Sequence, residues 1–178
     1  MHAPLPVVLV LASGRGERFR ASGGQGSKLQ ALLAGRPVLE YTLDAVRASG
    51  LPWHVEDAGH PGMGDSIAAA VRATADAPGW LVLPGDLPLV RPQSLQAVAR
   101  ALAEASVVVP VHQGTRGHPV AFRREHGAAL QALAGTEGAA GIVRAHPPLR
   151  LELDDPGIVT DIDTLDDLAR VERLLAAR

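Results

Sequence analysis

The chain has no cysteine, and that absence removes disulfides, thiolate nucleophiles and cysteine-ligated metal centres from its chemistry. It fits a reducing compartment. Aromatic residues make up only 3% of the 178 positions, so no surface is equipped to stack a run of nucleobases. An excess of one charge is missing as well. The formal net charge of −2 provides no basic face for nucleic acid or an anionic membrane. No apolar run approaches the roughly 20 residues of a membrane span. The first residues lack the basic start, apolar stretch and cleavage site of a secretion signal. Together these absences predict a soluble cytoplasmic protein with no nucleic-acid partner and no membrane partner. Lysine is scarce too: of 17 basic side chains only one, Lys28, is a lysine. In a chain that otherwise uses arginine, one retained lysine is informative.

What remains is enough for a proper core. Hydrophobic residues reach 47%, and the length suits a single domain over residues 1–178. Pro6 to Ala12 is a continuous apolar, largely β-branched run, the pattern of a strand buried on both faces. Trp80 to Leu83 and Ser106 to Val111 repeat it, and Trp53 to Glu56, Pro119 to Phe122 and Leu149 to Leu153 read as further strands. Helices are expected over Pro37 to Ser49, from Asp65 as cap to about Ala75, and from Pro92, which suits a first helical turn. Two short helices are expected near His126 to Ala134 and Gly138 to Ala145, and a last one over Thr164 to Ala177. Strands alternating with helices predict an α/β fold with a mainly parallel sheet. In such folds the loops after the strands gather at one edge, where ligands bind. Three polar loops fit that edge: 13–28, 84–88 and 161–164.

The first of these, read as loop from Ser13 to Ser27, is glycine-rich and ends at Lys28. Glycine lets backbone N–H groups approach oxyanions closely, so a strand followed by such a loop suggests phosphate. Two common versions fail. The P-loop needs GxxxxGK before Ser or Thr, and the dinucleotide fingerprint needs a third glycine where Phe19 stands. Gly14, Arg15, Gly16, Arg18 and Lys28 remain as a possible triphosphate clamp, against a flexible surface loop with solvated cations.

The other two loops are acidic. Asp86, in LPGDLP directly after a buried strand, faces the crevice as a natural Mg²⁺ ligand; otherwise it makes the turn before Pro88. In DIDTLDDL, Asp161 and Asp163 point the same way if the backbone is extended. Thr164 can cap the last helix with Asp167 three residues on, so these acids serve either the helix dipole or a second metal ligand. His118, between Gly117 and Pro119, is a candidate for substrate contact or acid–base work, although a lone histidine is more often structural. His54, His60 and His112 make no tight zinc spacing. Ser66 lies outside any nucleophile elbow and suits helix capping beside Asp65. GTEGAAG, 135–141, reads as a flexible turn into a helix.

Taken in order, LASGRGER…K, GMGDS, LPGDLPLV, GHPVAF, GTEGAAG and DIDTLDDL resemble the MobA-like nucleotidyltransferase family over essentially the whole chain. LPGDLP is more similar to its molybdenum cofactor cytidylyltransferase branch than to the guanylyl branch. The resemblance implies a Rossmann-like three-layer fold and a Mg²⁺-dependent transfer of a nucleoside monophosphate to a molybdopterin-type acceptor, releasing pyrophosphate. It implies CTP as the preferred triphosphate and GTP as the alternative, with a molybdoenzyme or its chaperone as a possible protein partner. A non-catalytic nucleotide- or cofactor-binding protein is the competing expectation of another class.

Carried onto this chain, the resemblance gives Leu11, Ala12, Ser13, Gly14, Gly16, Arg18 and Lys28 to the triphosphate. Gly85 and Asp86 form the strand-end motif, with Asp86 and Asp163 as metal ligands and Asp161 as second choice to Asp163. Gly62, Met63 and Ser66 approach base and ribose, and Gly117, His118 and Pro119 lie on the acceptor side. Four departures stand out. Ser13 replaces a small apolar or glycine residue, and Leu165 replaces a proline. The stretch from Arg18 to Lys28 is several residues longer than the family pattern. Between the first long helix and GMGDS the chain has only 51–61, as though one strand–helix unit were missing.

Overall fold

The computed structural model describes residues 3–178; Met1 and His2 of the expected domain lie outside the described residues. The chain runs β1 (Val7–Leu11), α1 (Glu17–Ala21), β2 (Leu32–Leu33), β3 (Arg36–Pro37), α2 (Val38–Ser49), β4 (Trp53–Glu56), α3 (Met63–Ala73) and β5 (Gly79–Pro84). It continues through α4 (Pro92–Ala101), β6 (Val107–His112), β7 (Thr115–Arg116), β8 (Val120–Arg123), α5 (Gly127–Gln131), α6 (Ala140–Ala145), β9 (Leu149–Glu152) and α7 (Leu165–Ala176). Two single 3₁₀ turns, Arg124–His126 and Pro156–Val159, complete it.

Seven strands form one sheet in the order β4-β1-β5-β8-β6-β7, with β9 on the free side of β6. β4, β1 and β5 are parallel, and β9 is parallel to β6. β8 is antiparallel to both β5 and β6, so β6 points the same way as β5. The sheet is therefore mixed but mainly parallel, as the alternation of strands and helices predicts. The sense of β8 follows from its short connection to β6, because adjacent strands joined by a tight return run antiparallel.

Burial on both faces explains the apolar runs. Val8 and Val10 of β1, with Leu81 and Leu83 of β5, pack against α2 and α4. Leu9 and Leu11, with Val82 and Trp80, face the other way into Ile67 and Val71 of α3, Leu130 of α5 and Ile142 of α6. A smaller third core joins Leu33, Val38, Leu89, Ile162 and Val171, and docks α7 beside the β2–β3 hairpin. One strand, β4, lies between α2 and α3, and it forms the sheet edge beside β1.

The segment expected as loop from Ser13 to Ser27 contains a helical turn, α1. Phe19 is its anchor, with only 2% of its surface exposed. The backbone at Gly24 crosses so close to that ring that a Cβ there would lie 2.3 Å from it. One buried aromatic in a polar stretch leaves no periodic signal, which is why the turn escapes pattern reading. The expected capping role of Asp65 also fails. Gly62 is the cap, α3 begins at Met63, and Asp65 turns its carboxylate to the Gly135 N–H at 3.1 Å. Ser66 caps nothing either. It lies inside α3, 4% exposed, with its hydroxyl donating to the Gly62 carbonyl. The cap of α7 does form: Thr164 accepts from the Asp167 N–H, and Asp167 accepts from the Thr164 N–H.

Candidate functional site

Three strand ends and the DIDT segment meet at one edge of the sheet and are stitched together by backbone hydrogen bonds. Gly85 N–H donates to the Leu11 carbonyl at 2.9 Å, joining the ends of β5 and β1. Ile162 N–H donates to the Asp86 carbonyl at 3.2 Å, joining that pair to the DIDT segment. Ala12 N–H donates to the Glu56 carbonyl at 2.9 Å, tying in the end of β4. A side chain at Gly85 would put its Cβ 2.9 Å from Leu39 and 3.1 Å from the Leu11 carbonyl, so the close approach of these strand ends requires glycine.

At the centre of this edge Lys28 reaches Asp86 at 2.7 Å and Asp163 at 3.1 Å. Arg18 closes on the other oxygen of Asp163 at 3.0 Å. The longer stretch from Arg20 to Ser27 does not carry Lys28 away. It folds back on itself, with Gly24 N–H bonded to the Phe19 carbonyl. The Ser22 hydroxyl oxygen accepts the Leu165 N–H at 3.0 Å, which pins the stretch to the start of α7. Burial alone would lower the Lys28 pKa, but the Asp86 and Asp163 carboxylates outweigh it and raise it above the ordinary value. Lys28 is therefore a fixed positive charge at neutral pH.

Asp161 completes a group of three carboxylates: one oxygen from each of Asp86, Asp161 and Asp163 lies within 4.8 Å of the others. The pKa of Asp161 is raised, first by burial and then by the negative charges of Asp163 and Asp86. The three carboxylates form one tight cluster. Its donors are all oxygen, the set that suits Mg²⁺ or Mn²⁺ rather than a soft metal. The ammonium of Lys28 already lies between two of them.

Arg18, Lys28, Asp86 and Asp163 line a cavity of about 470 Å³, whereas Asp161 lies off its wall. Of the residues expected from sequence, Leu11, Ser13, Gly14, Arg15, Gly16, Arg18, Lys28, Gly62, Met63, Ser66, Gly85, Asp86 and Asp163 lie on its wall. Ala12 does not; its N–H is spent on Glu56. Pattern reading passed over Phe19, His60 and Thr136 as wall residues. Thr136 arrives because the 135–141 turn is not free. Gly64 N–H donates to the Gly135 carbonyl at 2.8 Å, which fastens that turn over the start of α3.

His118 lies elsewhere, in a second cavity of about 380 Å³. Met63 belongs to both walls. The second cavity is mostly apolar, with Ile67, Val82, Val109 and Phe122 on its floor and Arg116, Glu137 and Arg144 around it. His118 follows β7 at the interruption between β7 and β8, where Gly117 N–H bonds to Pro110 and His118 N–H to Ile158. The His118–Pro119 peptide is cis. His118 is half-buried and lines the cavity, and burial lowers its pKa despite the opposing pull of the Asp86 charge. Burial thus keeps the imidazole neutral near pH 7.

Residues 43–150 match the family described as the MobA-like NTP transferase domain. Among curated proteins, the chain is 34% identical over 120 residues to the bifunctional protein GlmU of Alkalilimnicola ehrlichii, covering 55% of this chain and 25% of that one. It thus spans about a quarter of the length of the curated relatives it matches. Among solved structures, Rv0371c of Mycobacterium tuberculosis superposes with a TM-score of 0.81 at 25% identity, over 97% of this chain and 100% of that one. Another structure of that protein is described as its complex with manganese; there the TM-score is 0.74 at 23% identity, over 95% and 98% of the two chains. The molybdopterin-guanine dinucleotide biosynthesis protein A of Archaeoglobus fulgidus superposes with a TM-score of 0.72 at 19% identity, over 97% of this chain and 100% of that one, a likeness of fold. Among the described residues no helix is long and apolar enough to cross a membrane.

Proposed function

The chain belongs to the MobA-like NTP transferase family, and on that premise we infer that it is a nucleotidyltransferase acting on a nucleoside triphosphate and a phosphate-bearing acceptor. The finer form of this reading takes CTP as donor and a molybdopterin-type phosphate as acceptor. The donor preference rests on the LPGDLP strand end, and the acceptor on the ordered run of motifs. The observation that carries the reading is the meeting of Lys28, Arg18 and three carboxylates at the end of a glycine-rich loop, next to a second cavity that shares Met63 with the first.

The chemistry is a single displacement. An oxygen of the acceptor phosphate forms a bond to the α-phosphorus, the bond from that phosphorus to the β-phosphate oxygen breaks, and pyrophosphate leaves with the electron pair. An acceptor phosphate is already anionic at neutral pH, so no strong general base is needed. Positioning and charge neutralisation carry such a reaction. The backbone N–H groups of the 13–16 turn cradle phosphate oxygens. Lys28 and Arg18 take up charge that builds toward the leaving pyrophosphate. Asp86 and Asp163, with Asp161 beside them, would hold Mg²⁺. When bound, the metal neutralises phosphate oxygens and orients them. The second cavity accepts the other substrate, with Arg116 and Arg144 available for an anionic group and the apolar floor for its body.

Pyrophosphate release tests this reading. It is expected only when Mg²⁺, a nucleoside triphosphate and the acceptor are all present. Release that proceeds without acceptor, or none under any combination, contradicts it; tight triphosphate binding without release would favour a non-catalytic binding protein.

A further inference from the structure

β4 ends in a buried carboxylate that the transfer chemistry does not use. Glu56 is 8% exposed, and each of its oxygens is taken by an imidazole. His60 Nε2 lies 2.9 Å from Oε1, and His54 Nε2 lies 3.1 Å from Oε2. The same residue's carbonyl accepts the Ala12 N–H and, at 3.1 Å, the Ser13 hydroxyl. The group is therefore fixed to the start of the glycine-rich loop, whereas Lys28 at the loop's end is fixed to Asp86 and Asp163.

Burial works to raise the pKa of Glu56, but the hydrogen bonds from His60 and His54 outweigh it and hold the carboxyl below its usual range. An ionised carboxylate only accepts, so both Nε2 atoms must carry the hydrogen. A neutral imidazole protonated at Nε2 presents Nδ1 as an acceptor. Among the described residues nothing bonds Nδ1 of His60, and no buried side-chain nitrogen or oxygen lacks a partner, so that atom is accessible. His60 lines the first cavity with Gly62, Met63 and Ser66.

We propose that His60 determines base specificity, accepting an N–H from the edge of the nucleobase at Nδ1, and that Glu56 is the positioning residue that fixes its tautomer. This rests on the nucleotidyl-transfer reading. The selected substrate class is a nucleoside triphosphate whose base offers an amino hydrogen at that edge. Cytosine and uracil make the sharpest pair, because the same ring carries an amino group in one and a carbonyl in the other. An acceptor facing a carbonyl is left unpaired, and an unpaired buried group costs more than a missing bond.

The test is calorimetric binding of CTP, UTP and inorganic tripolyphosphate, each with Mg²⁺, to the full chain and to two variants. The wild type is expected to bind CTP about tenfold or more tighter than UTP, the worth of one such hydrogen bond. His60→Phe should bring that ratio near one, chiefly by weakening CTP, and leave tripolyphosphate affinity unchanged. Glu56→Leu accepts from neither imidazole, so it frees the His60 tautomer and should lower the ratio part of the way. A merely structural role for the pair would weaken all three ligands together and preserve the ratio, which overturns the proposal. Equal CTP and UTP affinities in the wild type, or an unchanged ratio in His60→Phe, also overturn it while the transfer reading stands. If His60→Phe does not fold, the Glu56→Leu ratio decides in the same way. A wild type that binds no triphosphate at all overturns the transfer reading itself.

Discussion

The two cavities that meet at Met63 are built in opposite ways. The first is made of loops and ions: the 13–28 segment, the β5 strand end and the DIDT segment bring Arg18, Lys28, Asp86 and Asp163 together from across the chain. The second is made of regular elements, with side chains of α3, β5, β6, β8 and α6 forming a mostly apolar wall. Loops at a sheet edge can bring backbone N–H groups and charges to one point, which phosphate chemistry needs. Packed faces hold a shape, which recognition of a less charged body needs. The contrast teaches that the charged edge and the apolar cavity can be disturbed separately.

The largest effect is expected at the charged centre. Asp86→Ala or Asp163→Ala should lower kcat by about 10²–10³-fold or more, the scale seen when one preorganised electrostatic group is removed. Turnover that survives both changes would mean the metal assignment is wrong. Lys28→Ala and Lys28→Arg should both raise the triphosphate KM or lower kcat, by about tenfold or more. Arginine fails here because its planar fork does not replace a compact charge seated between two carboxylates. An unaltered Lys28 variant would return this residue to a structural ion pair.

On the other side of Met63, Arg116→Ala should raise the acceptor KM by about tenfold, the worth of a charge-assisted hydrogen bond, and leave the triphosphate KM as it is. A change in the triphosphate KM instead would erase the distinction between the cavities. A smaller effect belongs to the loop that carries Lys28. Gly24→Ala places a methyl 2.3 Å from the Phe19 ring. It should cost about 1–3 kcal/mol of stability, read from the urea midpoint.

The smallest effect concerns the cap beside the DIDT segment. Thr164→Ala should cost about 1 kcal/mol. Burial would raise the pKa of Asp167, but the Asp163 N–H and the Thr164 hydroxyl and N–H outweigh it and lower it. A lowered carboxyl pKa gives stability that is present above the ordinary carboxyl range and lost as pH falls through the folded value. Asp167→Asn should therefore be less stable than wild type at neutral pH, with the difference shrinking in acid. A difference that stays constant with pH would contradict this.

Much of the frame is legible in the sequence because burial on both faces forces a visible pattern. β1, β5 and β6 are apolar runs for that reason, and the α7 cap is local, with Thr164 and Asp167 three residues apart. The missed elements depend on distant partners. The β2–β3 hairpin has two residues a side and is steadied by Glu172 accepting the Ala34 N–H. The α1 turn rests on one aromatic beneath Gly24. The site follows the same division. Asp86 announces itself at a strand end, but the position of Lys28 depends on Ser22 meeting Leu165, 143 residues away. His60 reads as an isolated histidine until Glu56 is seen beneath it.

One nucleotidyl group is expected to pass from the triphosphate in the first cavity to the acceptor in the second. This transfer is tested most directly by following CTP labelled at its α-phosphate, with Mg²⁺ and a molybdopterin phosphate. The label is expected in the acceptor, with one unlabelled pyrophosphate released for each transfer. Label that remains in CTP, or appears only in free CMP, would contradict it.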